Sequence, residues 1–221
     1  MPKKINKIYY FSVEGDTEKW YLEWLKNMIN NSDASKCKVQ FVIKSYIDPI
    51  KMVKSLSIIG RTKITHIIDY ESNTAPDIRR FQANLKSMKQ AEKLGKSVNY
   101  CLGYTNLTFE LWMILHKMNC YGSLNDKRQY LRYINQAFGE DFEDLREYKY
   151  EKEFKRILGK ITLKDVLCAI ARAKEITRRS KADFDNYRET VCGYEYYTHN
   201  PSLSIWQSIE SILGECGIIM S

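Results

Sequence analysis

The stretch IYYFSVEGDTEKWYLEWL, residues 8–25, decides how the fold begins. Residues 5–13 are rich in Ile, Tyr, Phe and Val, which favours a buried β-strand. Apolar side chains then recur at helical spacing, which predicts an amphipathic helix over residues 16–30. Between the two lie Glu14 and Gly15, so a carboxylate stands at the end of a buried strand where the chain turns.

The alternation of strand and helix continues to about residue 104. Further strands are predicted over residues 38–46, 63–71 and 96–104, and further helices over residues 48–59 and 77–94. Strands that are separated by helical crossovers pair in parallel, with helices on both faces of the sheet. The sequence therefore predicts an α/β fold with a Rossmann-like, open, mainly parallel four-stranded sheet.

From Thr108 onward the pattern is helical. Apolar residues recur at helical spacing in segments such as FELWMILHKM and LKDVLCAIARAKEITRRS. We expect a sheet domain over residues 1–106 and a helical C-terminal part over residues 107–221, packed together as one compact unit.

Composition excludes several classes of protein. No apolar run is long enough to cross a bilayer, so we expect no membrane partner. The six cysteines are dispersed, without the paired spacing of a zinc site, and are expected to be reduced thiols of a cytoplasmic protein. None of the three histidines lies in a recognisable motif with a nucleophile.

Carboxylates follow two of the predicted strands. Glu14 ends the first strand, and Asp69 and Glu71 end the third. In a 2-1-3-4 strand order these two strands are neighbours at the point where the connections diverge, which is where open α/β sheets bind ligands. Like charges so close together call for a cation, and carboxylate oxygens suit Mg²⁺ or Mn²⁺. The alternative is that Glu14 assists the first helical turn and Asp69 is a polar end to its strand.

Basic residues are concentrated in residues 146–188, which hold thirteen Lys or Arg against seven Asp or Glu. Four of them lie on one predicted helix: Arg172, Lys174, Arg178 and Arg179. If this face opens toward the carboxylates it would bind the phosphate backbone of a nucleic acid. The alternative is a solvated helical face.

Several motifs, in order along the chain, resemble those of the RloB family. VEGDTEKWYL is similar to the first motif of a TOPRIM domain, and IIDYES is similar to its DxD motif. YTNLTFELWMILH, YEK, AIARAKEI and NPSLSIWQSIESIL resemble later family segments. The resemblance implies a TOPRIM-like sheet with a helical C-terminal part, and a metal-dependent nuclease in defence against phage, with nucleic acid and other defence proteins as partners.

The resemblance also implies roles for individual residues. Glu14 matches the motif glutamate, a general acid or base, and Asp69 matches the first aspartate of the metal motif. Glu71 stands where a second aspartate is usual. Its extra methylene adds roughly 1.5 Å of reach, which changes the metal geometry.

Four further positions have open assignments. Glu110 is either a metal ligand, a residue that supports one, or an acid favoured by the helix dipole. His116 is a structural histidine or a site residue, and Asn106 caps a helix or orients phosphate. A group of tyrosines either stacks on unpaired bases or packs in the fold: Tyr194, Tyr196 and Tyr197.

Two functions compete. The first is a Mg²⁺-dependent phosphodiesterase that cuts DNA or RNA, with Glu14, Asp69 and Glu71 as catalytic residues and Glu110 as a further metal ligand. The second is a non-catalytic module that binds nucleic acid or protein within a defence complex. Nucleotide binding is disfavoured, because the turn after the first strand has a single glycine and no phosphate-binding motif.

Overall fold

The computed structural model describes residues 4–58 and 60–219. Its first half alternates strands and helices: β1 (Ile5–Val13), α1 (Asp16–Asn31), β2 (Cys37–Ser45), α2 (Pro49–Ser55), β3 (Thr62–Tyr70), α3 (Ala75–Ala91) and β4 (Val98–Asn106). Its second half contains α4 (Glu110–Leu115), α5 (Tyr130–Phe138), α6 (Leu145–Tyr148), α7 (Glu151–Leu158), α8 (Leu163–Asp183), β5 (Arg188–Val191), β6 (Tyr194–Tyr197) and α9 (Ile205–Glu215).

The four long strands form one parallel sheet in the order β2-β1-β3-β4. The predicted α/β class, the parallel pairing and the strand order are confirmed, and the architecture is Rossmann-like. The connection from β1 runs to β2 on one side, and the chain then crosses back to β3 on the other side of β1. The carboxyl ends of β1 and β3 therefore meet where the two connections diverge, as predicted.

Each face of the sheet packs against its own helices. On one face Phe11 and Val13 of β1 pack with Tyr21 and Leu22 of α1 in the larger hydrophobic core. On the other face α2 and α3 cover β3 and β4 in a second cluster that includes Phe81. Because side chains alternate along a strand, the odd-numbered residues of β3, including Asp69, face α1.

The ends of most predicted elements differ from the observed ends by one to three residues, and two differences are larger or bear on the site. The helix predicted over residues 48–59 ends at Ser55, and residue 59 lies outside the described residues. β4 extends two residues beyond its predicted end, to Asn106. Leu107 follows with a left-handed φ of 64°, which is rare for a bulky residue, and its N–H donates to the Tyr70 carbonyl at 2.7 Å.

A hairpin interrupts the second half, which the sequence predicted to be helical. β5 and β6 pair in an antiparallel manner through the two-residue turn Cys192–Gly193, both with positive φ. Such turns match the twist of a hairpin. Tyr196 of the hairpin is buried in the second hydrophobic cluster against Phe81.

Residues from both halves of the chain share the larger hydrophobic core. Ile209 and Leu213 of α9 pack in the same cluster as Phe11 and Leu25. The backbone N–H of Lys36, just before β2, donates to the carbonyl of Cys216 at 2.8 Å. None of the helices in residues 4–58 and 60–219 combines the length and apolar composition that a membrane span requires.

Candidate functional site

The ends of β1 and β3 are joined through a carboxylate. Glu14 follows β1 directly, and its Oε2 accepts the backbone N–H of Asp69 at 3.1 Å. The pKa of Glu14 is raised, chiefly by burial, while the Asp69 N–H and the charge of Arg80 oppose the shift. Glu14 therefore holds the end of β3 against the end of β1 and is easier to protonate than an exposed glutamate.

Asp69 lies at the centre of the acidic side chains. Its Oδ1 accepts the hydroxyl of Thr105, its register partner on β4. Part of its surface is open to solvent, yet the surrounding protein makes its carboxyl costly to ionise. The pKa of Asp69 is raised well above its usual range, first by desolvation and then by the charges of Glu18, Glu110 and Glu14.

Two further carboxylates face Asp69 from α1 and α4. The pKa of Glu18 is raised from 4.5 to about 7 by burial and by the charge of Glu110, and only 6% of Glu18 is exposed. Glu110 is 0% exposed, and its Oε2 accepts the hydroxyl of Thr108. We call Glu18, Asp69 and Glu110 the carboxylate cluster.

One ammonium group contacts the carboxylate cluster from the loop between α6 and α7. Lys149 Nζ lies 3.1 Å from Glu110 Oε1, with 38% of the lysine side chain exposed. Burial works to lower the pKa of Lys149, but the charges of Glu110, Asp69 and Glu18 together leave it raised. Three carboxylates thus share one cation, so full ionisation leaves an excess of negative charge at the edge of the sheet.

Glu71 belongs to a different set of contacts. It forms an ion pair with Arg80 of α3, with Oε2 at 2.9 Å from Nη2. The sequence grouped Asp69 with Glu14 and Glu71. The structure keeps Glu14 beside Asp69, separates Glu71 from it, and adds the charges of Glu18 and Glu110. Glu14 lies between the two sets, since it accepts the Asp69 N–H while its pKa responds to Arg80 and Glu71.

Glu18 and Lys149 were missed by sequence reasoning. Tyr21, Leu22 and Leu25 are buried, and they follow Glu18 by three, four and seven residues. This spacing places Glu18 on the core face of α1. The sequence signal that could have identified Glu18 is a charged residue within the apolar stripe of a helix. Lys149 carries no comparable signal. It lies between two short helices and is 39 residues from Glu110 in the sequence, so no local pattern links the two.

His116 and Asn106 make internal contacts. His116 Nε2 lies 3.1 Å from the Tyr21 hydroxyl and Nδ1 lies 3.0 Å from the Trp112 carbonyl, and burial lowers the pKa of His116 to about 4. Asn106 Nδ2 donates to the carbonyls of Tyr197 and His199, at 3.1 and 2.9 Å. His116 thus has the contacts of a structural histidine, and Asn106 ties β4 to the segment after the hairpin.

The four basic residues predicted on α8 to bind nucleic acid contact other parts of the protein, not the carboxylate cluster. Arg172 donates to the Leu115 carbonyl at 2.6 Å, and Lys174 pairs with Glu210 of α9. Arg178 and Arg179 both pair with Glu175, one turn earlier on the same helix. Much of the predicted positive charge of this helix is therefore neutralised within the chain.

The hairpin tyrosines lie mainly in the protein interior. Tyr196 and Tyr197 are buried, and the Tyr194 hydroxyl donates to Glu92, just after α3, at 3.2 Å. Tyr196 packs against Tyr70 and Phe81. In this arrangement Tyr196 has no free face for a nucleobase.

The carboxylate cluster fits a divalent cation by its chemistry. Its donors are hard oxygens, and Glu110 Oε1 makes an ion pair with Lys149 but no hydrogen bond of good geometry. The side chains do not form a ready-made cage: within residues 4–58 and 60–219, no three His, Cys, Asp or Glu side chains are positioned to hold a metal ion together.

Comparison with known proteins gives one assignment. Searches against curated proteins and against solved structures returned no significant match. The sequence profile described as RloB-like protein matches residues 9–212, which is most of the chain and includes every member of the carboxylate cluster. The chain belongs to the RloB-like protein family.

Proposed function

We propose that this protein is a metal-dependent phosphodiesterase that cuts DNA or RNA. The observation that carries the proposal is the carboxylate cluster: three acidic side chains share one ammonium group at the strand ends where Rossmann-like sheets bind ligands. Charge repulsion of this kind costs stability and is usually retained for a function. The family's resemblance to TOPRIM proteins of phage defence agrees with this chemistry, and it suggests a cellular setting in which other defence proteins are partners.

The carboxylates of Glu18, Asp69 and Glu110 would hold Mg²⁺ or Mn²⁺. Bound there, the ion would neutralise charge on a phosphate and lower the pKa of a water molecule. Lys149 fixes Glu110 through their ion pair, and Thr105 and Thr108 fix Asp69 and Glu110 through hydrogen bonds. Glu14, with its raised pKa and one oxygen tied to the Asp69 N–H, is suited to hold or release a proton beside the cluster.

Asp69→Asn tests the proposal. The amide keeps the shape of the side chain but removes one of the charges that hold the ion, so we expect cleavage of a mixed nucleic-acid substrate with Mg²⁺ to fall by on the order of a hundredfold or more. The matched control is Asp33→Asn, an exposed position before β2, which should cleave at the wild-type rate. Cleavage by Asp69→Asn at the wild-type rate would reject the assignment.

A non-catalytic binding role is the second candidate. It is favoured by the spread of the acidic side chains, which form no ready-made metal cage in the described residues. Binding to nucleic acid that weakens with salt, persists in EDTA and yields no products over long incubation would support this role in place of cleavage.

Gly15→Ala probes the position of Glu18. A Cβ on Gly15 would lie 2.9 Å from Glu18 Oε2, so the carboxylate must move, while the backbone at Gly15 is extended and accepts any residue. We expect a cost of about 1 kcal/mol or less for the helix N-cap, but a clear loss of Mg²⁺-dependent cleavage. Gly60→Ala is the control, since its Cβ would meet nothing within 4 Å. Equal activity of the two variants would show that the position of Glu18 is irrelevant to cleavage.

A further inference from the structure

A cavity of about 380 Å³ lies at the same edge of the sheet as the carboxylate cluster. It is lined by Tyr70 and Asn106, the last residues of β3 and β4, which are register partners. Asp69 and Thr105 are the preceding residues of the same two strands and are hydrogen-bonded to each other. The cavity and the cluster are therefore one residue apart along both strands, and Asp69 and Tyr70 point to opposite faces of the sheet at this edge because side chains alternate along a strand.

Aromatic rings form one wall of this cavity. The rings of Phe184 and His199 stack, with centroids 4.1 Å apart and an interplanar angle of 18°, and Tyr187 lies 6.0 Å from His199. Phe184 is 38% exposed and Tyr187 is 45% exposed, so both rings reach solvent beside the cavity. Exposed aromatic faces of this kind are platforms on which unpaired bases stack.

The rest of the lining combines the apolar Leu107 and Leu124 with polar side chains that match the edge of a base. The polar side chains are those of Asn73, Ser123 and Asn125. Their amide and hydroxyl groups can both donate and accept hydrogen bonds. The cavity volume is within the range of pockets that enclose small organic groups. A flat ring with a polar edge could stack on the aromatic wall and form hydrogen bonds with the polar side chains at the same time.

Basic residues precede Phe184, a residue of the cavity wall, on α8. Arg178, Arg179 and Lys181 occupy the last turns of that helix, directly before Phe184. Although both arginines pair with Glu175, 67% of the Arg178 side chain and 46% of the Arg179 side chain stay exposed to solvent, where phosphate can compete for them. A strand with its phosphates along this helix could place a base against Phe184.

We propose that this cavity takes one unstacked nucleobase of a single-stranded nucleic acid whose backbone crosses the carboxylate cluster. The inference rests on the proposed function, because it gives that site a substrate with unpaired bases. A duplex keeps its bases stacked and paired, and must extrude one before the cavity can hold it.

The test measures base stacking separately from cleavage. Single-stranded DNA and RNA that contain 2-aminopurine, whose fluorescence is quenched on stacking, are titrated with the full chain in Ca²⁺ and again in EDTA. We expect quenching by the wild type, and for Phe184→Ala a loss of quenching with about tenfold weaker binding. Phe184→Trp should restore both, and strands with an abasic site at the probed position should bind like Phe184→Ala.

Leu94→Ala is the matched control, because Leu94 has an exposed fraction close to that of Phe184 and lies before β4, at the opposite edge of the sheet. It should bind and quench like the wild type. Absence of quenching in the wild type, unchanged binding by Phe184→Ala, or equally tight binding of a perfect duplex would overturn the base pocket. None of these results depends on Mg²⁺-dependent cleavage, so the pocket and the nuclease can fail independently.

Discussion

Glu18→Gln is expected to make the protein more stable at pH 8, by up to about 3 kcal/mol, and to change its stability little at pH 4. The reason is the pKa of Glu18, which folding raises from 4.5 to about 7. The folded state then binds a proton that the unfolded state has already released. Stability therefore falls as pH rises from 4.5 to 7, and the full penalty applies above that window. The amide carries no charge, so it escapes the penalty.

Chemical denaturation between pH 4 and pH 8 measures this effect. Glu143→Gln, an exposed position, is the control and should follow the wild type at every pH. Mg²⁺ should raise the thermal midpoint of the wild type more than that of Glu18→Gln, because an ion relieves the same repulsion that the substitution removes. A Glu18→Gln variant that is no more stable than the wild type at pH 8 would contradict the assigned environment of Glu18.

Lys149→Met is expected to destabilise the protein by about 2–3 kcal/mol at neutral pH. The loss arises at Glu110, which is 0% exposed and would keep a buried charge without its cation. The value is at the low end for a broken buried pair because 38% of the lysine side chain is exposed to solvent. Urea denaturation of the variant and the wild type gives the difference directly.

The double variant Lys149→Met/Glu110→Gln completes the test. Removing both charges should recover most of the stability, since neither partner is then left alone in the interior. Lys152→Met, three residues away and exposed, is the control for loss of a lysine and should cost little. If the two single lysine variants lose the same stability, Lys149 does not compensate the carboxylate cluster.

The sheet was predictable because its signals are local. Each long strand is a short run of β-branched and aromatic residues bounded by turn residues, and each crossover is a helix, so the parallel pairing follows from connection rules. The ends of strands were less predictable. β4 continues through Thr105 and Asn106 because these polar residues pair with Asp69 and Tyr70, which is a tertiary effect.

The site was predictable only in part. Glu14 and Asp69 were found because strand ends are readable in a sequence, and the hydrogen bond between them follows from the strand order. Glu71 follows the same strand but meets Arg80, whose position on α3 no spacing rule specifies. Glu18 was missed, although its place on the apolar stripe of α1 indicates burial.

The hairpin shows a second limit of sequence reasoning. Its strands have only four residues each and follow a 21-residue helix. They were therefore included in the part of the chain predicted to be helical. The turn Cys192–Gly193 carries the clearest local signal, a glycine between two short β-forming runs.

The contact between Lys36 and Cys216 has a consequence for biosynthesis. The start of β2 and the end of α9 are hydrogen-bonded and share one hydrophobic core, although more than half of the chain lies between them. At typical translation speeds α9 leaves the ribosome on the order of ten seconds after β4 does. During that interval α1 covers only part of this apolar face, and we expect chaperones to bind the part that α9 later covers.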